Sequence, residues 1–499
     1  MLLRTTRKTE EDAEGGLPIP TQIVSNGEFY PFPQTPRQRT VEELVRRMAD
    51  ERARALGWSR RRFLQSACGT ATALAAINLA SGCSDAKSSG GFAVDDCATR
   101  DPDAARELFQ ADYFIVDVQT HHADLEGPIA QNPQLQDFFA GFRICNERDV
   151  ASGECHRGQL VELSRANYIK EIFLDSETAV AMMSGIPAPN KTLQLISNEA
   201  MAATRDLGDQ LGASQRMLTQ GMLTPNFPPN SDTGTNISDM EHLVKDLGIR
   251  ALKTYTGAGY GVFGDIPPWW LDDENVSYPM LAEAERLGIN IVNTHKGLRL
   301  GIFDPEHIKP RDVPKVARDW PNMNFAIYHS AYEYLDDLCA LKRNEIPEAT
   351  NVYSELGAVF ASAVMDGVEQ VGHLLGKLVT SFGSDHILWG TDSIWYGSPQ
   401  WQIDALKTFR MPQQMIDQFG YPEITTGMKR QIFGLNAARL YKLDPEEVRC
   451  TLPADQIAQA RAAYSEIAQP SLRTYGPRTR REFMHMAFGG RDPRRPWLG

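Results

Sequence analysis

Residues 116–122 read VDVQTHH. Residues i and i+2 share one face of a β-strand, so Gln119 and His121 aim at a common point if this run is a strand. An Asp-x-His-x-His run would present two imidazoles there; here the first position carries an amide instead. Three further polar residues end apolar, β-branched runs: His295 in NIVNTH, His329 in FAIYH and Asp392 in LWGTD. Imidazoles and a carboxylate converging on one axis suit a borderline divalent ion, zinc before manganese or iron. With one coordination position open, such an ion lowers the pKa of a bound water or polarises a substrate oxygen.

Other residue types cluster around the same run ends. Lys253 lies in RALKTY, near the end of the fourth run, and Glu355 in YSELGA. The lysine is expected to pair with a carboxylate or substrate, and the glutamate to orient an imidazole or serve as a core ion-pair partner. His122 follows His121 directly and so points away from the axis if the strand is regular, with substrate contact as the alternative where the strand ends. Trp269 and Trp270 in PPWW, with Trp395 and Tyr396 in DSIWYG, offer aromatic surface for a flat or apolar substrate, a role that plain packing would also explain.

These residues need a scaffold that brings run ends together. From about residue 111 the chain repeats a short apolar run, a turn and a helical stretch. The runs are YFIVDVQ, IKEIFLD, RMLTQGML, IRALKTY, INIVNTH, NFAIYHS, NVYSELG and ILWGTDS. Amphipathic segments such as DMEHLVKDLG and YPMLAEAERLG separate them, each closed by a glycine stop. Eight strand–helix units predict an α/β fold of the (β/α)8 TIM barrel type over residues 111–445, with active residues at the C-terminal strand ends. No Gly-rich phosphate fingerprint follows the first run, which argues against a doubly wound sheet. Residues 123–168 form a long insertion at the catalytic face, expected to shape substrate access.

Composition sets the wider frame. The 499 residues are 42% hydrophobic and carry a formal charge of −13. Residues 1–62 and 446–499 are each +3, leaving −19 on the middle. Phosphate backbones need clustered cations, so nucleic acid is excluded as a partner and a small-molecule substrate is expected. Residues 1–58 read as an extension, irregular around PIPTQIVSNGEFYPFPQ. Residues 59–83 resemble a twin-arginine export signal, with Arg60 and Arg61 ahead of Phe63, Leu64 and a mild apolar stretch. That resemblance implies the export machinery as a partner and a periplasmic location, with lipid anchoring at Cys83 or ordinary cleavage both open. Residues 84–110 read as a linker. Cys145 and Cys155 bracket a polar loop that a disulfide would close in an oxidising compartment. The basic tail, 446–499, reads as a surface extension or an oligomer contact.

The strand-end histidines on the first, fifth and sixth runs, the aspartate on the eighth, HILWGTDSIWYG and IFGLNAARLYKL together resemble the amidohydrolase-related branch of the amidohydrolase superfamily. That branch includes metal-dependent hydrolases and non-oxidative decarboxylases of the aminocarboxymuconate-semialdehyde and hydroxybenzoate types. The resemblance implies His121 and His295 as metal ligands, Asp392 as a ligand that also handles protons, and His329 beside the metal. In binuclear relatives a fourth-strand lysine, here Lys253, is carboxylated and bridges two metals. Homo-oligomers are also implied.

Gln119 departs from the pattern, since a neutral amide oxygen binds zinc more weakly than an imidazole. The expected function is a hydrolase in which activated water attacks an amide, lactone or ester. A decarboxylase with the same constellation and a catalytically silent, ligand-binding barrel are the alternatives.

Overall fold

The computed structural model describes residues 16–488 apart from 83–89, 133–161, 213–214, 229–230, 258–265, 299–301, 453–454, 466–467 and 469. Eight parallel strands form one sheet in sequence order: β2 (Val116–Thr120), β3 (Val180–Met183), β4 (Met217–Met222), β5 (Ala251–Tyr255), β6 (Ile291–His295), β7 (Asn324–Tyr328), β8 (Val352–Glu355) and β9 (Ile387–Leu388). A two-residue strand, β1 (Gly91–Phe92), pairs antiparallel with β10 (Phe409–Arg410) outside it. The large sheet closes through the extended chain after β9. Val118 N–H donates to Trp389 O at 3.0 Å, Asp392 N–H to Gln119 O at 3.0 Å and His121 N–H to Ser393 O at 2.6 Å. The fold is a TIM barrel, as expected, with helices around it.

Two apolar clusters divide the core. One fills the barrel, drawing Val116, Val118, Val180, Leu218, Ala251, Ile291, Ala326 and Leu388 from successive strands, with Tyr441 from the helix Asn436–Tyr441. The other lies between strands and outer helices. The helix Val368–Phe382 shows the pattern well: Val371, Leu374, Leu375 and Leu378 recur at three- and four-residue spacing and are all buried. Gly367 precedes it at φ 113°, a conformation that favours glycine.

The second strand lies elsewhere than IKEIFLD. Residues Arg165–Leu174 are helical, capped by Ser164, whose side chain accepts from Asn167 N–H, and the true strand is VAMM at 180–183. Ile172 and Phe173 are buried in the outer core. A short apolar run supports a buried helical turn as readily as a buried strand.

Both chain ends contribute buried residues. Ile19, Ile23, Val24 and Phe29 of the N-terminal segment are buried. So are Val41, Val45 and Ala49 of the helix Pro36–Ala55 and Ala71, Leu74 and Ile77 of the helix Ala67–Ala80. The tail contributes buried Ile457, Tyr475 and Phe483. Asp455 forms a buried ion pair with Arg216, just before β4. Cys83, Cys145 and Cys155 lie outside the described residues. Among the described residues, no helix is long and apolar enough to cross a membrane.

Candidate metal centre

The C-terminal ends of β2, β5, β6, β7 and β8, with the chain after β9, carry one continuous buried polar cluster. At β2 the pairing register shifts between Asp117 and Thr120. Val118 packs in the barrel interior, yet the next side chain, Gln119, also reaches the inner cluster, so the shift breaks simple alternation and re-aims the strand end. Gln119 Nε2 lies 3.2 Å from His329 Nε2 and 3.2 Å from Asp392 Oδ1, placing one amide hydrogen toward each. His121 Nε2 stands 3.0 Å from Asp392 Oδ1, without hydrogen-bond alignment. Its Nδ1 is 2.8 Å from Ser184 O, which sets the ring.

His329 and Asp392 sit at φ 59° and 56°, a left-handed conformation uncommon for such residues. Each costs on the order of 1–3 kcal/mol, strain of the kind that collects where a side chain must be aimed. Glu355 supports that bend. Its Oε2 accepts from His329 N–H at 3.0 Å and its Oε1 from Gly357 N–H at 2.7 Å. Gly357 (φ 46°) is required here, because a Cβ would lie 2.6 Å from His329 Nδ1 and 2.9 Å from Gln119 Oε1.

One residue of the cluster comes from outside the barrel. Glu28, from the irregular N-terminal segment, brings Oε2 to 3.5 Å from His295 Nε2. Ligand atoms of Glu28, His295 and His329 lie within 4.8 Å of one another. Tyr255 O–H donates to Glu28 Oε1 at 3.1 Å and stacks on His295 with ring centroids 4.7 Å apart. Asn26 Nδ2 donates to both Glu28 Oε2 at 2.9 Å and Asp392 Oδ2 at 3.1 Å, joining the triad to the His121–Asp392 pair.

The electrostatics follow from burial. Burial pushes Glu355 up to about 8 and Asp117 up to about 7, and raises Asp392 against the pull of His121. Burial would raise Glu28 too, but His295 and His329 hold it well below the usual carboxylate range. Burial depresses His295 and His329, the latter helped by His295. Lys253 is pushed down to about 8 by burial, opposed by Glu28, Glu355 and Asp392; its Nζ sits 3.7 Å above the Tyr328 ring. Three buried carboxylates thus act on one ammonium.

The residues fit a divalent cation. Among the described residues, buried His295 Nε2, His329 Nδ1 and Gln119 Oε1 have no hydrogen-bond partner, and unpaired polar atoms are costly in the interior. A cation among imidazoles and a carboxylate would satisfy several of them at once.

The model of the family described as Amidohydrolase matches residues 187–443, just over half of the chain. The chain belongs to this family. The match covers His295, His329 and Asp392, whereas Glu28, Gln119 and His121 precede it. No curated protein matches. Among solved structures, an uncharacterized TIM-barrel protein from Bordetella bronchiseptica is 18% identical, covering 66% of this chain and 98% of its own, with a TM-score of 0.44. A 2,6-dihydroxybenzoate decarboxylase from Rhizobium is 15% identical, with 67% and 100% coverage and a TM-score of 0.38. A putative 2-pyrone-4,6-dicarboxylic acid hydrolase from Pseudomonas putida is 11% identical, with 67% and 99% coverage and a TM-score of 0.38.

Sequence-expected residues divide clearly in this amidohydrolase. Gln119, His121, Lys253, His295, His329, Glu355 and Asp392 gather at the centre. His122 turns away, its Nε2 2.8 Å from Thr204 Oγ1 and its ring 5.5 Å from Tyr168; burial lowers it to about 4. Trp270 packs between His307, at 4.4 Å, and Arg311, at 3.7 Å, and Trp269 is buried. Trp395 flanks His121 at 6.1 Å, while the Tyr396 hydroxyl lies 3.5 Å from Val24 O. Sequence reasoning missed Glu28, Asn26 and Tyr255. The available signal was a polar Asn-Gly-Glu between apolar pairs, Ile23-Val24 and Phe29-Tyr30.

Proposed function

We propose that this protein is a metal-dependent hydrolase of small-molecule amides, lactones or esters. The observation that carries this reading is the convergence of Glu28, His295 and His329 beside the His121–Asp392 pair, with buried ring nitrogens that have no hydrogen-bond partner among the described residues. Glu28, His295 and His329 would hold the ion. When bound, a divalent ion makes a water nucleophilic near neutral pH and polarises a carbonyl.

The chain's own groups do the rest. Asp392 accepts the proton of the attacking water and returns it to the leaving group. His121, 3.0 Å from Oδ1, steadies the carboxylate through that cycle. Lys253, with no hydrogen-bond partner at Nζ among the described residues, offers positive charge to a developing oxyanion. Gln119 fixes His329 and Asp392 relative to each other.

Non-oxidative decarboxylation is the second reading, and one observation favours it: burial raises Asp392, which suits a carboxyl that delivers a proton to carbon. The test is a panel of amides, lactones, esters and hydroxybenzoates, run on chelated and metal-restored enzyme. Metal-dependent appearance of a new acid without carbon dioxide is expected. Carbon dioxide release would select the lyase, and inactivity of a protein that binds no metal would end both readings.

A further inference from the structure

The twin-arginine-like segment and Glu28 make opposite demands. Removal of a leader ending near residue 83 would also remove residue 28. We propose that the N-terminal arm, residues 16–80, stays in the working protein, where it supplies Glu28 as the charged ligand that Gln119 fails to provide. This rests on the metal-enzyme reading and names the origin of one ligand.

The arm is built in as a permanent part. Glu28 is only 2% exposed and is fixed on several sides. Tyr255 and Asn26 hold its carboxylate, its N–H donates to Asn26 Oδ1 at 3.0 Å, and its carbonyl accepts from Ile302 N–H at 3.0 Å. The C-terminal tail straps the arm down. Ser25 N–H donates to Pro477 O at 3.0 Å, Gln22 Nε2 to Arg478 O at 2.9 Å, and Tyr30 packs edge-on to Phe483 at 4.8 Å. Gly476 (φ 138°) allows this approach, since a Cβ there would lie 1.8 Å from Ser25 O.

The paired-arginine region is equally committed. Arg60 bonds Asp50 at 2.9 Å, and Phe63 and Leu64 are buried. Gln65 Nε2 donates to Pro470 O at 3.0 Å. Asn78 clasps β1 with both ends of its amide: Nδ2 donates to Phe92 O at 2.7 Å and Oδ1 accepts from Phe92 N–H at 2.9 Å. The chemistry matches as well. Gln119 spends its amide hydrogens on His329 and Asp392 and contributes no charge, whereas Glu28 places a carboxylate beside both imidazoles of the triad.

The test expresses the full chain with a C-terminal tag in a host with an active twin-arginine pathway. Intact mass and N-terminal sequencing read the mature start; elemental analysis and zinc titration read metal. The expected wild-type protein keeps residue 28 and binds about one ion per chain. Glu28→Gln, with an unchanged circular dichroism spectrum, is expected to bind zinc at least about ten-fold more weakly. Glu28→Asp, which keeps the charge, is expected to fall between the two. A mature chain beginning after residue 83 that holds its metal overturns the proposal and makes Glu28 a removable plug. Glu28→Gln binding zinc as tightly as wild type overturns it while leaving the metal enzyme intact. A wild-type protein that takes up no metal after reconstitution overturns the metal reading and this proposal together. The mature N-terminus remains decisive for the arm if a variant misfolds.

Discussion

The chain that leaves β6 immediately after His295 is anchored by a buried ion pair, and breaking it should loosen the metal centre from a distance. Lys296 Nζ contacts Asp312 Oδ2 at 2.7 Å, His307 O at 3.0 Å and Lys309 O at 3.1 Å, and both side chains are fully buried. Burial depresses the Lys296 pKa, opposed by Asp312, while Asp312 Oδ2 also accepts from Leu271 N–H at 2.8 Å. Lys296→Met leaves Asp312 charged and unpaired in the interior, which costs about 3–5 kcal/mol. Replacing both, Lys296→Met with Asp312→Leu, removes the stranded charge. It should therefore cost less than Lys296→Met alone, giving a coupling of roughly 2–3 kcal/mol in a double-mutant cycle. Urea denaturation followed by tryptophan fluorescence measures the stability. Zinc titration should show weaker binding in the single variants, because Phe303, 4.5 Å from the His295 ring, and Ile302, bonded to Glu28, lie on the loop this pair ties down. A Lys296→Met protein within about 1 kcal/mol of wild type, or strictly additive effects, would refute the reasoning.

Three further outcomes are expected. Burial raises Asp404 to about 7, so its contribution is full below the unfolded pKa near 4 and is lost as pH rises toward 7. Asp404→Asn should therefore gain on wild type by about 2–3 kcal/mol between pH 5 and pH 8, read as a pH-dependent difference in melting temperature. Glu355→Gln replaces one of two acceptor oxygens facing the His329 and Gly357 N–H groups. It should cost about 1–3 kcal/mol and weaken metal binding about 10–100-fold by calorimetry. Chelation should lower stability by about 2.7 kcal/mol relative to protein holding metal at a hundred times its dissociation constant, and identical melting curves would count against a resident ion.

The barrel was legible because seven of its eight strands fall within short, mostly apolar runs separated by turns and helical stretches, the pattern that buried parallel strands leave in a sequence. IKEIFLD failed because Ile172 and Phe173 bury equally well from a helical turn, whereas VAMM lacks β-branched density beyond Val180. His121, His295, His329 and Asp392 were legible because a parallel barrel brings strand ends together whatever the intervening sequence. Glu28 was not legible. Its place depends on its own contact across 267 residues to His295 and on that of Asn26 across 366 to Asp392, made by an irregular segment with no period to read.

Gln119 looks like a defect within VDVQTHH, yet the centre contains a carboxylate that no barrel strand supplies. The two observations explain each other. An imidazole at 119 would compete with Glu28 for the same ion, while a neutral amide there can donate to His329 and Asp392 and leave the charge to the arm. Gln119→His should then relieve the dependence on Glu28: in a Glu28→Gln background it should recover at least about ten-fold in zinc affinity, the size of a supporting interaction at a metal site. Zinc titration of the single and double variants checks this. An equal loss in both would mean that the amide at 119 does more than stand aside, and that its two hydrogen bonds set the geometry on which His329 and Asp392 depend.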